Sequence, residues 1–380
     1  MGKHVDQKAK KPSICFVALK AYGLLSGRED IQHIGGAEVQ QTLIARELAR
    51  RGYRVSFVVL DHGQPDGEDL DGIRVFKAFR RDAGVFGVRF LHPRMTRLWA
   101  AMRRADAEIY YQRNGGNETG AAAAWCRRHR RRFIFAVAHD AECDRRLPYI
   151  DTFRERALYR YGLWQADTVV TQTATQQRLM RNEFDRESTV IRSCALDPGG
   201  RTIERHERAC QPRLVWLGRF APVKGLEHLL DIAELCPEFQ FDVVGDANAD
   251  SAYVRAFRTR ALRIPNVALC GRVPYTRVDN VYRGASALLN TSEAEGFPNT
   301  FLEAWSRGLP VLSRLDPDNL ITEHGLGIVA NEVGELARQI KEFFGLPALR
   351  ERCSMGARRY FLRSHTVQVA VDAYERVLTR

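Results

Sequence analysis

Apolar positions in this chain fall into two alternating patterns: short solid blocks of strand length, and longer stretches with helical spacing. Residues 13–19 form the first apolar block. After it, Val39, Leu43, Ile44 and Leu48 recur at helical intervals, which predicts a helix over 37–51 with Gly52 as its C-terminal stop. Further strands are predicted at 53–60, 108–111, 133–138, 168–171 and 189–191. Strands that are apolar throughout, separated by amphipathic helices, belong in a parallel sheet covered on both faces. The pattern lapses over 196–212, which is polar and charged with Pro198, Gly199 and Gly200, and is read as an interdomain hinge. It then restarts, with strands predicted at 213–217, 240–244, 266–270, 287–291 and 310–313, and a helical stretch at 357–380. The expected fold is α/β, two Rossmann-like doubly wound parallel-sheet domains facing a cleft. Residues 1–195 form the first domain and 213–356 the second, and 380 residues suffice for two cores.

In such sheets ligands bind beyond the carboxyl ends of the strands, so the residues that follow each strand are the candidates. Gly35 and Gly36 precede a helix, where the backbone can approach a ligand and the helix start favours an anion; a plain glycine turn is the structural alternative. His139 follows the strand at 133–138 and can hydrogen-bond a sugar or cap the strand. Arg219 and Lys224 follow the strand at 213–217 and can converge on a diphosphate, or stand as two solvated cations. After the strand at 287–291 come Glu295 in a loop and Glu303 in the following helix. Pro298 suits that helix's first turn, and the N–H groups of Asn299 and Thr300 point out of its start.

Composition narrows this picture. No apolar run reaches the ~18 residues of a membrane span. The polar, basic stretch 1–11 and the short block behind it do not form a signal peptide, so a cytoplasmic protein is expected. Eight cysteines lie scattered between Cys15 and Cys353 without metal spacing, as expected of reduced thiols. Asp69-Leu70-Asp71 has the form of a metal-binding triplet but precedes a short strand far from the other motifs, and no metal or other cofactor is expected. Lysine and arginine number 58 against 46 aspartates and glutamates, a net charge of +12 that calls for an anionic partner. The run 127–132 (RRHRRR) is read as a solvated helix end; its alternative is contact with anionic lipid at the inner face of the cell membrane. Residues 93–104, with Leu98, Trp99 and Met102 among arginines, suit an interfacial helix.

Three stretches then carry a resemblance: LGRFAPVKG at 217–225, VVGDA at 243–247 and EGFPNTFLEAWSRGLPVL at 295–312. In combination they resemble the retaining glycosyltransferases of family 4, which have the two-domain GT-B architecture. The resemblance implies a metal-independent enzyme that moves a sugar from a nucleoside-diphosphate sugar to a sugar or lipid-linked acceptor, in polysaccharide or glycoconjugate synthesis. By the same resemblance Arg219 and Lys224 grip the donor diphosphate and Glu295 meets the sugar near its reacting carbon. Glu303 bonds the ribose hydroxyls, while Gly35 and Gly36 close over the phosphates and His139 touches the sugar. The loop with Arg272 and Val273 lies beside the nucleobase, and Phe297, Asn299 and Thr300 belong to the donor loop. The helix at 357–380 crosses back to the first domain. Ser193-Cys194 stands where the family often has Asn-Gly, and Pro298 where it often has glycine. DPDNL at 316–320 and HGLGIV at 324–329 look like members that build bacterial surface polysaccharides. The competing readings are an epimerase or phosphorylase on the same fold, or a basic nucleic-acid-binding protein; no nucleic-acid partner is expected.

Overall fold

The computed structural model describes residues 11–31, 35–85, 89–199, 211–247 and 251–379. They form two compact units. One comprises Met1–Thr171, Leu179–Ile191 and Val371–Arg380; the other comprises Gln172–Arg178 and Arg192–Ala370.

The first unit is built on β1 (Ile14–Val17), β2 (Val55–Val59), β3 (Glu68–Leu70), β4 (Ile73–Lys77), β5 (Ile109–Arg113), β6 (Arg132–Ala136), β7 (Thr168–Thr171) and β8 (Thr189–Val190). They run in the order β3-β4-β2-β1-β5-β6-β7-β8, all parallel except the edge strand β3, which is antiparallel to β4. Ile14 lies opposite Val55 on one side and Ile109 on the other, so β1 is covered along both edges and every residue of it is buried. Phe16 stacks on Phe57 with ring centroids 5.0 Å apart. Each such ring taken out of water contributes about 1.5–3 kcal/mol. The predicted helix is present as Gly36–Arg50, and the stop at Gly52 has a left-handed φ of 84°.

The second unit carries β9 (Arg213–Leu217), β10 (Gln240–Val244), β11 (Val267–Gly271), β12 (Ala287–Asn290), β13 (Val311–Ser313) and β14 (Gly327–Val329), in the order β11-β10-β9-β12-β13-β14 and all parallel. Its core on one face gathers Leu229, Leu230, Phe241 and Val243; the other face gathers Phe301, Trp305, Val311 and Phe361. The chain runs from β9 outward to β11, then returns to the other side of β9 as β12. The carboxyl ends of β9 and β12 therefore flank the point where strand order reverses.

One detail differs from the sequence reading. The stretch 357–380 is not one helix: Pro347–Ser364 ends at His365, and Val367–Leu378 follows. His365 turns inward there; its Nδ1 lies 2.7 Å from the Ser193 carbonyl, and its main-chain carbonyl accepts the N–H of Ala195. Residues Val371–Arg380 group with the first unit, where Arg51 pairs with Glu375 at 2.7 Å and the Tyr111 and Tyr374 hydroxyls meet at 2.9 Å. Of the expected hinge 196–212, residues 200–210 lie outside the described residues.

Candidate functional site

Two loops meet at the strand-order reversal of the second unit, and glycines allow them to touch. Gly225 has a φ of 58°, and a Cβ there would stand 2.3 Å from the Thr291 carbonyl oxygen. Gly245 lies against Gly218 in the same way, its missing Cβ 1.8 Å from the Gly218 carbonyl oxygen. With the backbones this close, Thr291 ties the loops together. Its hydroxyl donates to the Lys224 carbonyl at 2.9 Å and accepts from Trp216 Nε1 at 3.0 Å. The N–H of Glu293 donates to the Val223 carbonyl at 2.9 Å.

This frame brings Lys224 and Glu295 into an ion pair through Nζ and Oε1. Ser292 Oγ donates to the same carboxylate oxygen at 2.8 Å. Both side chains are largely withdrawn from water, 24% and 13% exposed, so the pair is screened less than a surface pair would be. An ammonium has three hydrogens, and Glu295 engages one, which leaves two to face a ligand. Arg219 is exposed and makes no hydrogen bond or ion pair among the described residues. Arg272, just past β11, is exposed as well, whereas Val273 packs on the core cluster that contains Tyr282 and Phe297.

The helix Asn299–Ser306 follows directly. Pro298 occupies its N-cap in an extended conformation, one residue earlier than the first-turn place the sequence suggested, and its carbonyl accepts the N–H of Phe301 at 3.1 Å. Asn299 and Thr300 are thus the first two helical residues, at the positive end of the helix dipole. Phe297 is buried against Phe301, Trp305 and His365, so what it offers a ligand is its backbone. Glu303 is buried too. Tyr282 donates its hydroxyl to Glu303 Oε2 at 2.8 Å. Burial pushes the Glu303 carboxyl up to about 7, against the downward pull of the Tyr282 bond and of Arg307. The Arg307 guanidinium lies 4.9 Å from the Tyr282 ring centroid and pairs with Asp279.

Sequence reasoning missed Ser292, Thr291, Trp216 and Tyr282. Ser292 had a local signal, standing in the same loop as Glu295. Tyr282 had none, because it ends a separate helix, Val278–Tyr282, and meets Glu303 only in three dimensions. Among the described residues, Glu227, His228 and Glu293 form one group whose ligand atoms lie within 4.8 Å of one another, with Glu227 also accepting the Tyr253 hydroxyl at 2.5 Å.

In the first unit, His139 caps the short helix Asp140–Cys143, its Nδ1 accepting the Ala141 N–H at 3.1 Å. Glu142, which sequence reasoning also missed, is buried below it. Its Oε2 accepts the Ala138 N–H at 3.1 Å, and burial pushes its carboxyl up to about 7. Gly35 is the exposed N-cap of the helix Gly36–Arg50, and its N–H donates to Glu38 at 3.1 Å. Asp69 and Asp71 serve a hairpin: Asp71 and Gly72 have φ values of 53° and 80° between β3 and β4, and Asp69 accepts the Gly72 N–H. In the basic run, Arg131 pairs with Asp106, and Arg132 donates to the carbonyls of Val377 and Leu378. Leu98 and Met102 of the helix Thr96–Ala105 are buried in the core, and Trp99 donates to the Ala121 carbonyl. The apolar stripe that suited an interfacial helix therefore faces inward. No helix among the described residues is long and apolar enough to cross a membrane.

Known families match both halves of the chain. Residues 211–345 match the family described as glycosyl transferases group 1, and residues 35–192 match the glycosyl transferase 4-like domain; together they span well over half of the chain. The chain is a GT-B glycosyltransferase of the family-4-like type. Among curated proteins, this glycosyltransferase is 25% identical over 144 residues to glycosyltransferase 1 domain-containing protein 1 of Xenopus tropicalis. That match takes in 37% of the chain and 41% of the relative, so the chain spans about two fifths of that protein's length. Solved structures share the fold over nearly the whole chain. Sucrose-phosphate synthase from Thermosynechococcus elongatus superposes with a TM-score of 0.76 at 14% identity, covering 97% of this chain and 98% of that one. Anabaena HepE, solved with UDP and glucose, gives 0.75 at 17% identity, covering 97% and 99%.

Proposed function

We propose that this glycosyltransferase moves a sugar from a nucleoside-diphosphate sugar to a hydroxyl of a sugar or lipid-linked acceptor, with retention of anomeric configuration and without a divalent metal. The observation that carries the reading is the Lys224–Glu295 pair at the strand-order reversal, beside the start of the helix Asn299–Ser306. As the sugar–oxygen bond breaks, negative charge grows on the departing diphosphate. The two remaining ammonium hydrogens of Lys224, the Arg219 guanidinium and the N–H groups at the helix start supply fixed positive charge for it. Glu295, held by Lys224 and Ser292, is assigned to the electron-poor carbon of the sugar on the family resemblance. Glu303 and Tyr282 form a buried carboxyl–hydroxyl pair suited to the ribose. Arg272 and Val273 are assigned to the base, and His139, Gly35 and Gly36 to sugar and phosphates, on the family resemblance. HepE was solved with UDP and glucose, which makes UDP-sugars the first donors to test.

The test is release of nucleoside diphosphate from a donor panel, with and without a strong chelator. Full activity in chelator is expected. Activity abolished by chelator and restored by magnesium or manganese would overturn the metal-free mechanism. It would also favour the second reading, in which Glu227, His228 and Glu293 hold the ion.

A further inference from the structure

The first unit contains a cavity that none of these roles uses. Its volume is about 350 Å³, within the range of small-molecule sites. Phe79, Phe90, Met95 and Leu98 give it apolar walls. Phe79 follows β4 and Asn117 opens the helix after β5, so the cavity lies at the carboxyl edge of the sheet, where such folds bind ligands.

Two of the polar atoms that line it are unsatisfied. Arg94 Nε and Asn117 Oδ1 are buried atoms without a hydrogen-bond partner among the described residues, and both side chains line the cavity. A buried polar atom left unpaired is costly, and a ligand that accepts from Arg94 and donates to Asn117 would relieve both. The charged lining residues are Arg89, Arg94, Arg154 and, opposing them, the half-buried Glu118. Positive charge therefore prevails. Arg154 spreads over the Phe90 ring, 4.3 Å from its centroid, and is exposed to water on its other side. Next to these lining residues in the chain stand Phe153, 86% exposed, and Leu91, 58% exposed.

We propose that this cavity binds an anionic amphiphile, an apolar chain bearing a phosphate or diphosphate, as the lipid carrier of the acceptor. The chain lies on Phe79, Phe90, Met95 and Leu98, and the phosphate meets Arg94 and Arg154. The carrier's hydroxyl-bearing cargo donates to Asn117 and Glu118. The proposal rests on the reading of the chain as a transferase to a lipid-linked acceptor and names the chemistry of that lipid.

The probe is monomeric decyl phosphate, titrated by calorimetry into the full chain below its micelle concentration. Decanol and inorganic phosphate are the two controls. Decyl phosphate should bind at least tenfold more tightly than either. Arg154→Glu, a change at an exposed side chain, should weaken it at least tenfold, and Ala121→Leu should do the same by filling the cavity; thermal melting checks that both variants fold. Decanol or inorganic phosphate binding as well as decyl phosphate would overturn the proposal. So would an Arg154→Glu variant with wild-type affinity, which would place the probe elsewhere, for instance at Arg219 and Lys224. Nucleoside diphosphate, titrated into the same preparations, reads the donor site separately, so failure of one reading is not mistaken for failure of the other.

Discussion

Replacing Gly225 by alanine should cripple the enzyme out of proportion to the single methyl group added. Two costs arise. A φ of 58° is left-handed, where an L side chain costs roughly 1–2 kcal/mol. The new Cβ would also stand 2.3 Å from the Thr291 carbonyl oxygen, where real Cβ atoms essentially never come under 3.0 Å. Backbone must shift to relieve that contact, at a further cost of about 1–3 kcal/mol. The total is roughly 2–5 kcal/mol. The segment that has to move bears Lys224 on one side and Ser292 and Glu295 on the other, so the ion pair is pulled apart as the clash is relieved. Gly284→Ala is the control, since Gly284 has a φ of 79° with nothing within 4 Å of its Cβ position, and only the first cost applies. Urea unfolding followed by tryptophan fluorescence compares the variants, Trp216 and Trp305 reporting on this unit. Nucleoside diphosphate release measures the site. Gly225→Ala should unfold at a clearly lower urea concentration than Gly284→Ala and lose most of its turnover. Equal midpoints together with full turnover would refute the claim that contact between these two loops builds the site.

Lys224→Ala should lower turnover by about 10²–10³, the usual loss for one fixed stabiliser of a developing anion, and Arg219→Lys should also be impaired because lysine lacks the planar fork. Glu303→Ala should weaken donor binding by roughly 1.5–3 kcal/mol with a smaller effect on the bound complex; unchanged donor affinity in equilibrium titration would remove the ribose from its role. Because burial raises the Glu303 carboxyl to about 7, the folded state holds a proton that the unfolded state gives up near 4.5, so this group costs stability as pH rises between those values. Glu303→Gln should therefore gain stability relative to wild type from pH 4.5 to 7, by up to about 3 kcal/mol, and parallel urea titrations across that range would expose a pH-independent difference. Asp71→Asn should leave turnover and metal response unchanged, since asparagine also accepts the left-handed turn before Gly72; a specific loss of activity would return Asp71 to the chemistry.

The layers of this protein follow from the apolar pattern of its chain. Solid apolar blocks such as those around Phe57, Phe135 and Val243 can be satisfied only between two covered sheet faces, and the helical spacing between them supplies the covers. The sequence also marked the candidate loops, because glycines, cations and carboxylates immediately after a strand have few structural reasons to occur together. Local pattern could not tell which candidates share a site. Tertiary structure decided that Glu295 stands on Lys224 rather than beside Glu303, since strand order, not chain order, sets β12 against β9. It decided that Glu303 takes Tyr282 from another helix, that Phe297 faces the core, and that Leu98 and Met102 are buried in the first unit. The short strand Gly327–Val329 escaped for a related reason: three residues carry no period of their own and become a strand only by pairing with β13. Spacing along a chain reports which face a residue takes within its own element. What faces it across the gap depends on how the elements pack, and that is settled only when the whole core has formed.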